Sequence, residues 1–382
     1  MGCRIRVLHI VTRLAVRGVP RHVLDMASGL DRERFEVEVL TGSIEKGEGD
    51  LSEQVRERGL VLHRVPSLQR EIDLFRDIRA QRSIFQIVAN GSYDIVHTHI
   101  SKAGILGRLA ARWAKVPVVL HTYHGLVDEV VSPSIKGEIF RFCERRAAGW
   151  SDALVAVSGH VARQWQDISV GMEGQYRVVP NGIDTDHFAG VEGLALAGDP
   201  TLVVVASLTR EKGIDVLLRA MSSVIAEFPG SELYVVGDGP LRSSLEGLAS
   251  ELNLHSGVHF VGIQSDVRPY LAACDLVLLP SLREGFGLAA VEAMAVGRAV
   301  VASHTGGIPE VVIAGETGLL VPPGEDQALA DAVISLLKNP ERQREMARAG
   351  SIRAERNFSL GRALSSLQAL YEELLATKRG QA

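Results

Sequence analysis

A chain of 382 residues is long enough for two domains, each with its own core. Its 46% hydrophobic and 23% charged residues exclude disordered and collagen-like classes, and 5% aromatics is too few for a stacking platform on single-stranded nucleic acid. The net charge of -5 is unevenly spread, mildly basic up to residue 190 and acidic beyond, so the amino-terminal half is the one suited to an anionic partner.

The three cysteines, Cys3, Cys143 and Cys274, are far apart and make neither a zinc pattern nor a disulfide framework. A reducing compartment fits them. The apolar run from Ile5 to Val11 is too short for a spanning helix, and no stretch of about 18 apolar residues occurs. Any membrane contact is therefore expected at the surface.

In chain order, Ile5 to Thr12 reads as a strand, Arg13 to Pro20 as a loop and Arg21 to Leu30 as a helix. Gly18 would let a ligand approach the backbone where that helix starts. Phe35 to Thr41 is the next strand, followed by a polar loop to Asp50, a helix to Gly59 and a strand from Leu60 to Val65. Glu71 to Asn90 is a long amphipathic helix with Arg70, Arg76, Arg79 and Arg82 at its polar face and Ile72, Phe75, Ile78 and Ile84 interspersed. Such a helix suits anionic lipid head groups, or simply packs one face and solvates the other.

The strand Tyr93 to His99 leads into Ser101-Lys102-Ala103-Gly104, with Ser101 expected as the N-cap. Lys102 sits at the positive end of a helix dipole, which is unfavourable unless an anion answers it. Pro117 to Thr122 is a core strand ending in Tyr123-His124-Gly125, and Lys136 to Ala148 is a second basic helix. Asp184-Thr185-Asp186 has the form of a cation-binding pair, but it falls in a connecting segment and no metal is assigned to it. Glu192 to Pro200 reads as a linker.

Beyond it, the strand Thr201 to Ala206 runs into Ser207-Leu208-Thr209-Arg210-Glu211-Lys212-Gly213 and the helix Ile214 to Glu227. Two cations at a helix's positive end imply a strong anionic partner. Gly237-Asp238-Gly239-Pro240 lacks the third glycine of a dinucleotide fingerprint. The apolar strand ending at Pro280 is followed by Ser281-Leu282-Arg283-Glu284-Gly285-Phe286-Gly287 and an alanine-rich helix from Leu288 to Val296. The first amides of that helix have no intrahelical partner and suit an anion. Glu284 precedes the helix and Glu292 lies one turn inside it, so a bound phosphate would have a carboxylate on each side to accept from hydroxyls. A nucleotide sugar has this layout.

At these residues the sequence resembles the retaining glycosyltransferases of family four, and the resemblance extends over nearly the whole chain. It implies an α/β protein of GT-B fold, with two Rossmann-like parallel-sheet domains, an interdomain cleft and a C-terminal helix that crosses back to the first domain. The expected divisions are 1–190, acceptor side; 191–358, nucleotide-sugar side; and 359–382, the returning helix. By resemblance the donor site comprises Gly18, Arg210, Lys212, Gly262, Glu284, Gly285, Phe286, Gly287, Leu288 and Glu292. Arg210 and Lys212 would clamp the diphosphate, the backbone after Gly262 would face the nucleobase, and His124 would face the reacting sugar with a catalytic role beside Arg210, Lys212 and Glu284. The family commonly pairs two glycines where this chain has Arg17-Gly18.

The segment at Ser101-Lys102 resembles enzymes that build capsular or exopolysaccharide on a polyprenyl diphosphate carrier, which makes His99 and Lys102 the acceptor-side candidates. The implied reaction is metal-independent transfer of a hexosyl group, with retention, from a nucleotide diphosphate sugar, most simply a UDP-sugar, to a hydroxyl acceptor, in the cytoplasm or at the inner membrane face. The partners expected are therefore a nucleotide sugar, a lipid-linked acceptor and a membrane surface, with no nucleic acid and no separate cofactor. Two other readings stay open on sequence: a non-hydrolysing nucleotide-sugar epimerase, and a nucleotide-sugar-binding subunit that supports an active partner.

Overall fold

The computed structural model describes residues 4–16, 18–45, 49–126, 130 and 132–381; Cys3 and Arg17 lie outside them. The chain divides into two compact units. One comprises the residues up to Gly182 and those from Leu360 onward; the other is Ile183–Ser359. Residues 183–200, expected partly in the first domain and partly as a linker, thus belong with the second unit. They are tied there by backbone bonds from Ile183 to Phe358 (2.9 Å) and from Leu194 to Pro269 (3.1 Å).

The first unit is built on a parallel sheet of β1 (Ile5–Val11), β2 (Phe35–Thr41), β3 (Val61–Arg64), β4 (Ile95–His99), β5 (Val118–Tyr123), β6 (Ala153–Ala156) and β7 (Tyr176–Val178). The strand order is β3-β2-β1-β4-β5-β6-β7. Successive strands are added in opposite directions on either side of β1, so the switch point lies between β1 and β4, where ligands of such sheets bind beyond the strand ends. The central strands are buried on both faces, which is why they read as continuous apolar runs.

On one face, Val7, Ile95, Val118 and Leu120 pack against the C-terminal helix Leu360–Gln381 through Ala363, Leu367, Leu370, Tyr371 and Leu375. Those five positions recur at three- and four-residue spacing, so they form one apolar stripe, and the expected return of this helix to the amino-terminal sheet is present. On the other face, Leu8, Ile10, Val96 and Val119 are covered by the helices Leu74–Gly91 and Ser101–Trp113.

The second unit repeats the plan with β8 (Thr201–Val205), β9 (Glu232–Val236), β10 (Val258–Gly262), β11 (Leu276–Leu279), β12 (Ala299–Ser303) and β13 (Gly318–Val321). All pair in parallel, in the order β10-β9-β8-β11-β12-β13. Its switch point is between β8 and β11. The loops that leave those two strands are 206–213 and 280–287, the two that carry Arg210, Lys212 and Glu284. The fold therefore brings together residues more than 70 positions apart in sequence.

Three local expectations need correction. The first helix starts at Gly18, not Arg21: Pro20 lies in its first turn, where a missing amide costs nothing. Ser101 is the first helical residue and not the cap; that place falls to Ile100, whose φ of 60° is a strained value for a β-branched residue. The last strands of the two sheets, β7 and β13, were not expected from the sequence. Both are edge strands of three or four residues, too short to show a period.

Candidate active site

In the second unit, β8 ends in the 3-10 turn Arg210–Lys212, and Gly213 (φ 61°) then opens the helix Ile214–Glu227. Opposite, β11 runs through the loop to Gly287, whose φ of 97° makes it the left-handed cap of the helix Leu288–Ala295. The loops are sewn together: the amides of Leu282 and Arg283 both donate to the Glu211 carbonyl, at 2.8 and 3.2 Å. Lys212 Nζ donates to Glu284 Oε2 at 2.6 Å, and the Gly285 amide donates to Glu284 Oε1 at 3.2 Å. Arg210 is exposed and makes no ion pair among the described residues.

Behind the loop, Gly307 donates to the Glu284 carbonyl (3.1 Å), and a Cβ on Gly306 would lie 1.7 Å from that oxygen. Only glycine lets the two backbones approach so closely there.

The start of the helix Leu288–Ala295 fits the expectation of an anion site. No side chain caps it, and the Gly287 carbonyl receives the amides of Ala290 and Val291, leaving those of Gly287, Leu288 and Ala289 without an acceptor among the described residues. Glu292 is half-buried one turn further along. Gly262 closes β10 with φ 75° and accepts from the Gly237 amide at 2.9 Å.

Phe286 differs from expectation. Its ring is buried edge-on against Phe358, 5.6 Å between centroids, so its side chain supports the loop from the interior. A cavity of about 370 Å³ is lined by Thr209 and Arg210 of one loop, Leu282 of the other, and Ile214, Asp215, Leu241, Ser244, Leu245 and Leu248. Neither Glu284, Gly287 nor Glu292 lines it, so the cavity touches both loops but does not reach the helix start at Gly287. Asp184, the first member of the Asp-x-Asp pair, accepts from the His187 amide at 3.2 Å and caps a short helix.

In the first unit the sites converge on histidine. His124 follows β5 and borders a cavity of about 220 Å³ with Val19, Ile100, Thr122, Gly125 and Trp165. Its Nε2 lies 3.3 Å from His99 Nδ1, while its own Nδ1 is enclosed and has no partner. Burial, and then repulsion from His22, lowers the His124 pKa to about 3. Burial likewise lowers His9 to about 3 and His22 to about 4, and holds His97, His99 and His121 well below the usual imidazole range. All six are neutral at pH 7.

His99, expected at the acceptor surface, is 4% exposed and has both ring nitrogens engaged, with His124 and with His9 at 3.0 Å. Its place is behind His124. Lys102 is likewise committed: Nζ pairs with Asp77 and donates to the Glu71 carbonyl, so the charge that seemed to need a substrate anion is answered by the neighbouring helix. Gly104 serves packing, since a Cβ there would lie 2.4 Å from the His121 ring. Gly18 is exposed at its helix start.

His9, His97 and Tyr371 were missed from the sequence. The signal available was His97-Thr98-His99, whose two-residue spacing puts both imidazoles on one face of a strand. His9, His97 and His99 are also, among the described residues, the group whose nitrogens could converge on a metal, lying within 4.8 Å of one another. Those nitrogens are already bonded to one another, to Tyr371 and to Thr122, bonds that a cation would have to break.

Sequence missed Arg108 and Glu144 as well. Arg108 Nη2 donates to Glu144 Oε2 at 2.6 Å with both side chains fully buried, and the Tyr123 hydroxyl donates to the same oxygen at 3.0 Å. This pair anchors the end of β5 immediately before His124.

Comparison with known proteins agrees with this layout. The family model described as Glycosyltransferase Family 4 matches residues 16–187, and that described as Glycosyl transferases group 1 matches residues 192–353. D-inositol 3-phosphate glycosyltransferase of Corynebacterium aurimucosum is 31% identical, over 94% of this chain and 91% of its own. UDP-Gal:alpha-D-GlcNAc-diphosphoundecaprenol alpha-1,3-galactosyltransferase of Escherichia coli is 29% identical over 80% of each. Among solved structures, Anabaena Alr3699/HepE in complex with UDP and glucose superposes with a TM-score of 0.84 at 20% identity, over 97% of this chain and 100% of its own. The two parallel-sheet units, the returning C-terminal helix and the relatives together show that this chain belongs to the GT-B-fold glycosyltransferases that those two models describe, and that it is a sugar-transferring enzyme.

Proposed function

We propose that the protein transfers a hexosyl group, with retention at the anomeric carbon, from a UDP-sugar to a hydroxyl acceptor, an acceptor of the lipid-linked kind used in cell-surface glycan synthesis. The observation that carries the donor assignment is the corner at the β8/β11 switch point: unsatisfied amides at a helix start, beside Lys212 and Glu284 and below the exposed Arg210. Arg210, Lys212 and the amides of Gly287 and Leu288 take the diphosphate; Glu292 accepts from the ribose and Glu284 from the sugar. Support for uridine comes from HepE, whose structure is a complex with UDP and glucose, and from the galactosyltransferase named above, whose donor is UDP-Gal.

Lys212 has three N–H bonds and spends one on Glu284, so it can hold that carboxylate toward the sugar while donating to phosphate. In the reaction the bond from the anomeric carbon to the phosphate oxygen breaks, and that carbon bonds to the acceptor oxygen on the same face. The departing phosphate takes the acceptor's proton. Negative charge builds on the diphosphate, where two cations and a helix start stabilise it and do the work a metal does in other transferases. His124, whose ring borders the cavity of the first unit, faces a sugar hydroxyl. The pairing of Lys102 with Asp77 argues for an acceptor site built around His124 and its cavity, which Lys102 does not line.

A lipid-linked acceptor is consistent with the outer surface of the first unit. No helix among the described residues is long and apolar enough to cross a membrane. Yet Ile72, Leu74 and Phe75 stand 72%, 70% and 84% exposed among Arg70, Arg76 and Arg79, and Ile135, Ile139 and Phe142 are exposed on the helix Ile135–Ala148. Apolar residues set among arginines are the chemistry of an interfacial helix. The test of the reaction is product analysis: UDP-hexoses incubated with polyprenyl-diphosphate sugars should release UDP and give a glycoside of retained configuration, and an inverted product or turnover of donor alone into its epimer would refute the proposal.

A further inference from the structure

The imidazole nitrogens of the first unit form a continuous row. From the outside inward, His124 Nε2 meets His99 Nδ1 (3.3 Å), His99 Nε2 meets His9 Nδ1 (3.0 Å), and His9 Nε2 meets the Tyr371 hydroxyl (3.4 Å). The same hydroxyl meets His97 Nδ1 at 2.6 Å, and His97 Nε2 meets Thr122 Oγ1 at 2.6 Å. Three adjacent strands supply the histidines and Thr122; the C-terminal helix supplies Tyr371. We propose that this row fixes the tautomer of His124, so that its unpartnered Nδ1 is held as a hydrogen-bond acceptor and Tyr371 acts as a positioning residue for it.

The argument is one of proton counting. A neutral imidazole has one N–H and one lone pair, so each histidine must donate at one end and accept at the other. Burial keeps all four neutral, and Tyr371, whose pKa burial raises well above its usual value, brings a single proton. With the buried Tyr371 proton spent within the row, the protons all point the same way, which leaves two arrangements. If Tyr371 donates to His97, His97 donates to Thr122, His9 donates to Tyr371, His99 donates to His9, and His124 donates to His99. His124 Nδ1 then carries a lone pair. If every bond is reversed, it carries a proton.

Two features select the first arrangement. Hydroxyl donors make shorter bonds than ring N–H donors, so the 3.4 Å contact suits an N–H reaching toward the phenol from His9; the two 2.6 Å contacts of His97, to the phenol and to Thr122, are equal in length and do not choose between the hydroxyls. Of the two hydroxyls on His97, the phenol is the more acidic and the better donor, which leaves Thr122 to accept. Under this arrangement the enclosed Nδ1 lone pair of His124 has no partner among the described residues, on a ring that borders the cavity of the first unit. It would accept from a hydroxyl of a bound sugar and would disfavour an analogue whose group there cannot donate.

This inference rests on the proposed role of His124 toward a sugar, but its test does not. The full-length chain with 15N-labelled histidine is read by long-range 1H–15N correlation, which reports the protonated nitrogen of each ring. The wild-type protein is expected to show His124 as a single tautomer with the proton on Nε2. Tyr371→Phe keeps the ring in its core position and removes both bonds to the hydroxyl, so His9 is freed and His124 should become a mixture of tautomers. Hexosyl transfer should slow about twofold or more, the loss given by an equal mixture, while UDP affinity is unchanged. A proton on Nδ1 in the wild type, or the same tautomer in Tyr371→Phe as in the wild type, overturns the proposal. Failure of UDP to bind either protein would instead defeat the donor assignment and leave the tautomer readout intact.

Discussion

Replacing Arg108 by methionine should remove a large part of the stability of the first unit. Arg108 and Glu144 have no exposed side-chain surface; beside their 2.6 Å contact, Arg108 Nε donates to the Gly104 carbonyl at 2.9 Å and the Tyr123 hydroxyl donates to Glu144, whose other oxygen has no hydrogen bond among the described residues. Removing one member of a buried pair leaves an uncompensated charge, which costs about 3–5 kcal/mol, against a typical domain stability of about 5–15 kcal/mol. With a urea dependence of about 2 kcal/mol per molar, the unfolding midpoint should fall by roughly 1.5–2.5 M.

The stranded Glu144 would have its folded-state pKa raised, so its penalty is largest at neutral pH and shrinks as pH falls and the carboxyl protonates. The difference in midpoint between variant and wild type should therefore narrow from pH 7 to pH 5. The double variant Arg108→Met with Glu144→Leu should recover much of the loss, because it removes both charges. A single variant within about 0.5 kcal/mol of wild type, the scale of an exposed pair, would refute the buried ion pair described here.

Acid should also act through the histidine row. Burial holds His9 and His124 at about 3 and His22 at about 4 in the folded state, below the unfolded value of 6.5, so the unfolded chain binds more protons between those limits. Stability contributed by these groups is complete above pH 6.5 and declines as pH drops, by about 1.4 kcal/mol per pH unit for each histidine. Urea midpoints that stay flat from pH 7 to pH 5 would contradict it. Gly306→Ala should displace the Glu284 backbone and weaken UDP-sugar binding at least tenfold, since its Cβ meets a carbonyl oxygen; calorimetry checks this, and unchanged affinity would show the loop tolerates the shift. Phe75→Glu should reduce sedimentation with phosphatidylglycerol vesicles while leaving UDP affinity unaltered. Equal sedimentation of variant and wild type would remove the membrane-surface reading.

The strand and helix pattern of both units could be read from the sequence because the core strands are doubly buried apolar runs, separated by helices of clear periodicity. The corner made by Arg210, Lys212 and Glu284 was also legible, because cations at a helix start and a glycine-rich loop before one are local signals. What pairs with what was not. That Lys102 is answered by Asp77, that Phe286 faces Phe358, and that Arg108 finds Glu144 are all contacts between distant segments, set by packing that no window of the chain contains. The histidine row was hidden for the same reason: strand register aligns His9 with His97, and Tyr371 arrives from the far end of the chain.

Calorimetric titration of UDP onto the wild-type chain, Arg210→Ala and Lys212→Ala tests the donor site most directly. A charge-assisted phosphate contact contributes about 1.5–3 kcal/mol, so each variant should bind at least tenfold more weakly than wild type while unfolding at nearly the same temperature. Equal UDP affinity in all three proteins, or no UDP binding by the wild type, would contradict the assignment of that corner to the diphosphate.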